Sequence, residues 1–431
     1  METVSRCTPN AHLVVIGNGM ASHRLIETLL RHLSRPTRIT VIGEEPVPAY
    51  NRILLSPRLA GELEQQALTL QDPTALARQG VTLRLGQRVA QIDRQRQRVI
   101  THSGDALSYD RLVIATGSRS AMPDLPGVAL RGVHGFRTLE DVATLEAIAQ
   151  RGGHVVVVGG GLLGLEAADG LRKRGGPALR VSLLQRSERL MNRQLDTTAA
   201  KLLETTLQER GMTFHTGVTL TGLQDDGQGQ VCAVTLADGR QLPADHVIMA
   251  VGVCPNSALG QQAGLACERA ILVDGHLTTS DPHIFALGEC CQFEQHTYGL
   301  VEPIWRQVEV LAAVLCGEAP AHYAEAPTAT KLKVSGVQLY AFGPTEAEPH
   351  HDTLHYLDPE NGDYCRLLMH QGRLEGAILY GDTRHGPWYF EQALAATDLT
   401  ACRHLLLFGA ADVQAVLASH ASSPLSHREA A

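Results

Sequence analysis

The sequence carries one layout twice, and that repeat limits what the chain can fold into more than any other feature. "AHLVVIGNGMASHRLIETLLRHL" is an apolar strand, a glycine turn and an amphipathic helix; "RITVIGEE" follows as a second apolar strand, so residues 11–45 read as a β-α-β unit. At 154–186, "HVVVVGGGLLGLEAADGLRKRGGPALRVSLLQR" repeats strand, glycine turn, helix and strand. The later stretches match as well, "RVITHSGDALSYDRLVIATG" in the first copy and "VCAVTLADGRQLPADHVIMAVG" in the second. Such self-similarity marks a repeated supersecondary unit, here one nucleotide-binding layout inserted into another.

Each glycine turn suits a pyrophosphate. In "GNGMAS", Gly17 allows the tight turn, Gly19 lets the backbone approach the ligand, and Met20, Ala21 and Ser22 open the helix whose N-terminus favours an anion. Ser22 stands where Gly or Ala usually permits close helix–strand packing, and it is small enough to fit. An acid that holds a ribose is expected about 20 residues on. Glu44 stands 22 positions after Ser22, with Glu45 beside it. In "GGGLLGLE" all three glycines are present, Gly159, Gly161 and Gly164, with Leu163 and Glu166 on the opening helix. At the position of the acid, 21 residues after Gly164, stands Gln185, followed by Arg186. An amide can bond a ribose hydroxyl; an arginine can meet a 2′-phosphate or simply stand solvated. The sequence therefore admits both NADH and NADPH. Two cradles imply two dinucleotides, and a tightly held flavin with an exchanging nicotinamide is the economical pair, since hydride can pass between them. In flavoproteins that bind two dinucleotides the stretch after the second strand covers the flavin, so "PAYNRILLSPRLAGE" is expected to do so, with Arg52 as a cation for pyrophosphate or ring carbonyl and Ser56 as a hydroxyl donor; the alternative is a surface loop with an incidental arginine.

Composition excludes other classes. A net charge of −8 argues against a nucleic-acid surface, and 44% hydrophobic residues at 431 residues suit two or three globular domains. No apolar run approaches the roughly 18 residues of a membrane span, and "METVSRCTPN" lacks a signal-peptide core. Nine cysteines at irregular spacings contain no CxxC, so free thiols in a reducing cytoplasm are expected.

"GNGMAS", the Tyr-Asn-Arg-Ile-Leu-Leu-Ser run, "ATGS", "VGVCPN", "FALGECCQF" and "TYGLVEPIWRQVEVLA" together resemble the FAD- and NAD(P)H-binding portion of assimilatory NAD(P)H-nitrite reductase large subunits. They are equally similar to the stand-alone flavoprotein electron-transfer subunits of bacterial assimilatory nitrate reductases. The resemblance implies an α/β fold: two nested Rossmann-like FAD- and NAD(P)-binding domains of glutathione reductase type plus a small C-terminal α+β domain. Expected boundaries are 10–120 with 250–322 for FAD, 121–249 for NAD(P)H and 323–431 for the last domain. The resemblance also implies that Thr116, Gly117, Gly288 and Glu289 approach the flavin, that Pro303 and Trp305 lie near its ring, and that Gly252 lies near NAD(P)H. Relatives commonly carry Asp at the position of Glu289. The redox-active CxxxxC of disulfide-reducing relatives has no counterpart in "GNGMASHR", and Cys290 with Cys291 read as packing thiols. No proton-shuttling catalytic residue is expected.

The implied activity is electron transfer from NAD(P)H through FAD to a partner. That partner is the nitrate reductase catalytic subunit, or a ferredoxin-like, rubredoxin-like or sirohaem protein; a homodimer is also conceivable on this pattern. A ferredoxin or rubredoxin reductase of another pathway and a non-catalytic redox sensor are the alternatives. Arg78, Arg84, Arg88, Arg94, Arg96 and Arg98 crowd a segment that reads as β-hairpins, either a solvated surface or a docking patch for an acidic redox partner. His350, His351 and His355 cluster without a Cys or carboxylate at ligand spacing, so a polar edge strand rather than a metal site is expected.

Overall fold

The computed structural model describes residues 11–32, 34–318, 322–332 and 336–414. Contacts group the chain into two units, Met1–Met122 with Gly135–Leu145 and Val251–Ala326, and Pro123–His134 with Glu146–Ala250 and Pro327–Ala431. No described helix is long and apolar enough to cross a membrane.

The first unit is built on an all-parallel five-stranded sheet in the order Ile284–Ala286, Arg111–Ile114, His12–Ile16, Arg38–Ile42, Val81–Arg84. All five residues of "HLVVI" at His12–Ile16 are buried, as a central parallel strand covered on both faces requires. The helices Met20–Leu29 and Val301–Leu315 pack on each other beside it. A three-stranded antiparallel sheet, Val89–Asp93, Arg98–Thr101 and Ala106–Ser108, follows the third strand of the chain.

The second unit repeats this plan. Its parallel sheet runs Met212–His215, Leu179–Leu184, Gly153–Val158, His246–Met249, Val133–His134. Its antiparallel companion is Leu220–Asp225, Val231–Leu236 and Gln241–Pro243. The same unit contains a five-stranded antiparallel sheet, Thr330–Leu332, Leu339–Phe342, Arg373–Tyr380, Asp363–His370 and Asp352–Asp358, with the helix Gly386–Leu394 against it. A 3-10 stretch, Thr400–Phe408, follows that helix.

Two groupings differ from the expected boundaries. Residues 135–145 belong with the first unit: the Arg137 guanidinium pairs with Glu289, and the Arg137 carbonyl accepts from Arg52 at 2.8 Å. The C-terminal segment belongs with the second. Asp196, which caps the helix Thr197–Glu209 through the Ala199 N–H at 2.9 Å, accepts from the Tyr364 hydroxyl at 2.6 Å and lies 3.2 Å from the Arg366 guanidinium. Arg366 also donates to the carbonyls of Pro344 and Thr345, and all three side chains of this network are buried.

The arginine run does not form one patch. Arg78 closes the helix Pro73–Arg78 and Arg84 ends a parallel strand, so neither lies on a hairpin. Arg94 pairs with Asp281 at 2.7 Å, Arg96 and Arg98 with Asp93 at 3.3 and 3.2 Å, and Arg88 lies 3.7 Å from Glu44. Interleaved acids cancel most of the positive field, which removes the electrostatic basis for docking an acidic partner there.

Candidate functional site

Both glycine turns end in a helix whose first N–H groups have no side-chain cap. Gly19 and Gly161 are the N-caps of Met20–Leu29 and Leu162–Gly175, neither cap is filled by a side-chain hydrogen bond, and the space a Cβ would occupy is open for 4 Å at each. Unpaired N–H groups at the positive end of a helix dipole facing open space fit a pyrophosphate in both places. The turns themselves are tight. Gly17 has φ +105°, and a Cβ there would stand 2.2 Å from the Ala115 carbonyl oxygen; at Gly164 it would stand 1.9 Å from that of Gly159. Ser22 is buried and its hydroxyl donates back to the Gly17 carbonyl at 2.6 Å, so it closes the turn that a small third residue usually only permits.

The segment from Pro48 to Glu62 is fastened beside the first turn. Asn18 and Gln71 exchange two amide hydrogen bonds at 3.1 and 3.0 Å, and Gln71 also accepts the Ala49 N–H at 2.9 Å. Asn51 caps the 3-10 turn Arg52–Leu54, after which Ser56 is buried in the helix Leu55–Leu59. Glu45 receives the Arg52 guanidinium at 2.6 Å on one oxygen and the Tyr50 hydroxyl at 2.8 Å on the other. Arg52 also stacks 5.1 Å over the Tyr50 ring. Arg52 thus presents a neutralised pair rather than the bare cation expected of it. Burial holds the Tyr50 phenol protonated well above its ordinary range. Glu45 is closed on both oxygens, whereas Glu44 is 69% exposed and has only the exposed Arg88 guanidinium 3.7 Å away.

The distant pieces expected around a flavin meet in the first unit. The Thr116 hydroxyl donates to the Asn256 carbonyl at 2.8 Å and Asn256 returns a bond to the Thr116 carbonyl at 2.9 Å. Glu289 accepts from the Ser118 hydroxyl at 2.8 Å and from Arg137, and lies 3.8 Å from the Cβ position of Gly117. The Gly288 N–H donates to the buried Gln307 amide at 3.0 Å, on the helix whose first turns carry Pro303 and the half-buried Trp305. Tyr50, Asn256 and Gln307 stand inside motifs quoted from the sequence but received no role there, because their partners are remote, and Arg137 lies outside every motif. Cys290 and Cys291 are fully buried and donate to the carbonyls of Ile114, Leu287 and Gly288; burial pushes both thiols up, as packing residues require.

In the second unit the Gln185 amide is committed. Its oxygen accepts the Gly160 N–H at 2.9 Å and its nitrogen donates to the Ser187 hydroxyl at 2.5 Å, so it braces the glycine turn. Arg186, next to it, is exposed and has no charged partner among the described residues. Leu163 and Glu166 lie half-buried on the helix after Gly161. Gly252, expected near NAD(P)H, falls in the first unit, where its carbonyl accepts the Ala121 N–H at 3.0 Å.

The histidine reading needs correction. His350 and His351 lie in a turn before the strand Asp352–Asp358, which carries only His355, and Glu375 of the strand Arg373–Tyr380 meets His351 at 2.8 Å. A carboxylate is therefore present, 24 residues away in sequence.

Residues 11–310 match the family model of the pyridine nucleotide-disulphide oxidoreductases, and residues 328–393 that of the rubredoxin NAD+ reductase C-terminal domain. The chain is 37% identical to the assimilatory nitrate reductase electron transfer subunit of Bacillus subtilis over 92% of its own length and 51% of that protein. It is 30% identical to the nitric oxide reductase FlRd-NAD(+) reductase of Vibrio vulnificus, covering 86% of this chain and 94% of that one. It spans about half the length of the nitrate and nitrite relatives it matches from Bacillus subtilis. Among solved structures, the putidaredoxin reductase of a covalent complex with putidaredoxin superposes with a TM-score of 0.82 at 27% identity, covering 96% of this chain and all of that one. On the family match, with both helix ends shaped for pyrophosphates, the chain belongs to the pyridine nucleotide-disulphide oxidoreductase family of NAD(P)H-dependent enzymes that bind FAD.

Proposed function

We propose that this protein takes reducing equivalents from NAD(P)H and delivers them to the catalytic subunit of an assimilatory nitrate reductase. The observation that carries this is the 37% identity to an electron transfer subunit of that system across 92% of the chain. Bound FAD would supply the hydride-accepting and electron-releasing chemistry between the nicotinamide and the partner. The chain's own residues do the holding. The helix ends after Gly19 and Gly161 take the two pyrophosphates, Glu44 takes the first ribose, and Glu45 with Arg52, Tyr50, Arg137 and Glu289 forms the rigid frame behind the flavin site. Delivery to a rubredoxin-like or ferredoxin-like acceptor is the second reading, supported by the C-terminal match over residues 328–393. A cytoplasmic setting suits either reading.

Anaerobic stopped-flow mixing of the yellow holoprotein with NADH or NADPH tests this. Fast flavin bleaching followed by reoxidation only with nitrate reductase and nitrate is the expected result. Reoxidation by a rubredoxin-like or ferredoxin-like protein alone would favour the second reading. No bleaching by either nucleotide would overturn hydride transfer and leave a redox sensor.

Arg186 reads the nucleotide's 2′ group, since Gln185 is spent on the turn and position 185 itself carries no acid. Arg186→Ala is expected to weaken NADP+ binding about ten-fold, the worth of one charge-assisted bond, and to leave NAD+ binding within about two-fold. Equilibrium titration with each oxidised nucleotide measures this. Equal affinities for NADP+ in the two proteins would show Arg186 to be merely solvated.

A further inference from the structure

We infer that His350, His351 and Glu375 form a divalent transition-metal site on the C-terminal antiparallel sheet, with His370 orienting the carboxylate. One ligand atom from each of the first three lies within 4.8 Å of the other two. The His351 Nε2 stands 2.8 Å and the His350 Nε2 3.7 Å from the same Glu375 oxygen, while His370 Nδ1 reaches the other oxygen at 3.1 Å. The rings of His351 and His370 lie 4.1 and 4.6 Å from that of His350.

The backbone builds this convergence. Leu368 pairs with Gly376 but Met369 pairs with Leu374, so Glu375 is the extra residue of a β-bulge. A bulge re-aims its side chain, and here Glu375 turns toward the end of the hairpin that carries His370 and toward the turn at 345–351. That turn is closed by the His351 N–H donating to the Glu348 carbonyl at 2.9 Å. His351 is 1% exposed at its side chain, whereas His350 and Glu375 are 43% and 40% exposed, so the cluster has a buried inner ligand and an open outer side.

Two imidazole nitrogens and one carboxylate oxygen suit zinc, nickel or copper rather than calcium or magnesium, which prefer oxygen-only shells. Tetrahedral zinc with bonds of about 2.0–2.2 Å needs ligand atoms roughly 3.4 Å apart, a spacing the half-exposed His350 reaches by side-chain rotation. The carboxylate–histidine contact from His370 is the outer support that such ligands usually have. His351 Nδ1 accepts the Glu348 N–H at 2.9 Å, so its Nε2 carries the ring proton donated to Glu375. On binding, the metal takes the Nε2 position, the ring proton moves to Nδ1 and the bond to the Glu348 N–H is given up. One exposed hydrogen bond is worth about five-fold in affinity, small beside three metal–ligand bonds. Bound metal would clip the 345–351 turn to the hairpin.

The test is zinc titration of tag-free, chelator-treated holoprotein by calorimetry, with elemental analysis after dialysis. The expected result is about one equivalent bound with micromolar or better affinity, weakened at least ten-fold in both His350→Asn and Glu375→Gln, with flavin content unchanged. His350→Asn alters a half-exposed turn residue, so it keeps the comparison valid even if Glu375→Gln folds poorly. Absence of stoichiometric binding, or equal binding by wild type and His350→Asn, would overturn the site.

Discussion

Gly17→Ala is expected to produce a chain that retains almost no flavin and melts well below wild type. The backbone there holds φ +105°, and the new Cβ would sit 2.2 Å from the Ala115 oxygen and 2.6 Å from its carbonyl carbon. The positive φ alone costs a non-glycine residue about 1–3 kcal/mol. The overlap falls far short of the roughly 3.5 Å at which nonbonded atoms rest, and the obstacle is backbone next to the buried strand Arg111–Ile114, which cannot swing aside like a side-chain end. Together these place the loss at about 4 kcal/mol or more. Gly164→Ala is the matched case in the other repeat, with its Cβ 1.9 Å from the Gly159 oxygen. It is expected to keep flavin while nicotinamide nucleotide affinity falls at least about ten-fold, as a displaced helix end loses its hold on the pyrophosphate. Flavin absorbance per polypeptide and nucleotide titration measure both. A Gly17→Ala protein with full flavin content would refute the assignment of the first turn.

Asp196→Ala should cost the second unit about 3–5 kcal/mol, because it leaves the Arg366 guanidinium buried without its counter-charge. The two side chains are 9% and 8% exposed. The substitution also removes the cap on the Ala199 N–H and the acceptor of the Tyr364 hydroxyl, which burial and Asp196 together hold protonated. Asp196→Asn keeps one oxygen for the Ala199 cap but puts an NH2 where the second oxygen met Tyr364 and Arg366, and it loses the charge, so it should fall between wild type and alanine. Thermal and denaturant unfolding of the three proteins, with flavin content as a control on the first unit, gives the order. A shift within about 0.5 kcal/mol for alanine, the range of an ordinary surface change, would mean that the pair does not hold the C-terminal sheet in its unit.

Local chemistry was legible. The glycines at 17, 19, 159, 161 and 164, the parallel strands around them and the repeated order of elements all depend on neighbours a few residues away, so pattern alone exposes them. The irregular cysteine spacings read as thiols outside any disulfide framework, and none of the eight among the described residues is disulfide-bonded.

Partnerships set by distant residues were not legible. Glu45 and Glu44 look alike in sequence, yet Tyr50 and Arg52 close one and leave the other open. Gln185 looked like a ribose ligand until Gly160 claimed its oxygen. The arginine run read as either a solvated surface or a docking patch until Asp281, 187 positions from Arg94, entered it. Glu375 reached the histidines through a bulge that no periodicity announces. A motif is written in torsions and spacings that neighbouring residues impose, so the chain states it directly. The charge, hydrogen-bond partner and burial of a side chain depend on which remote strand lies beside it, and only the folded sheets decide that.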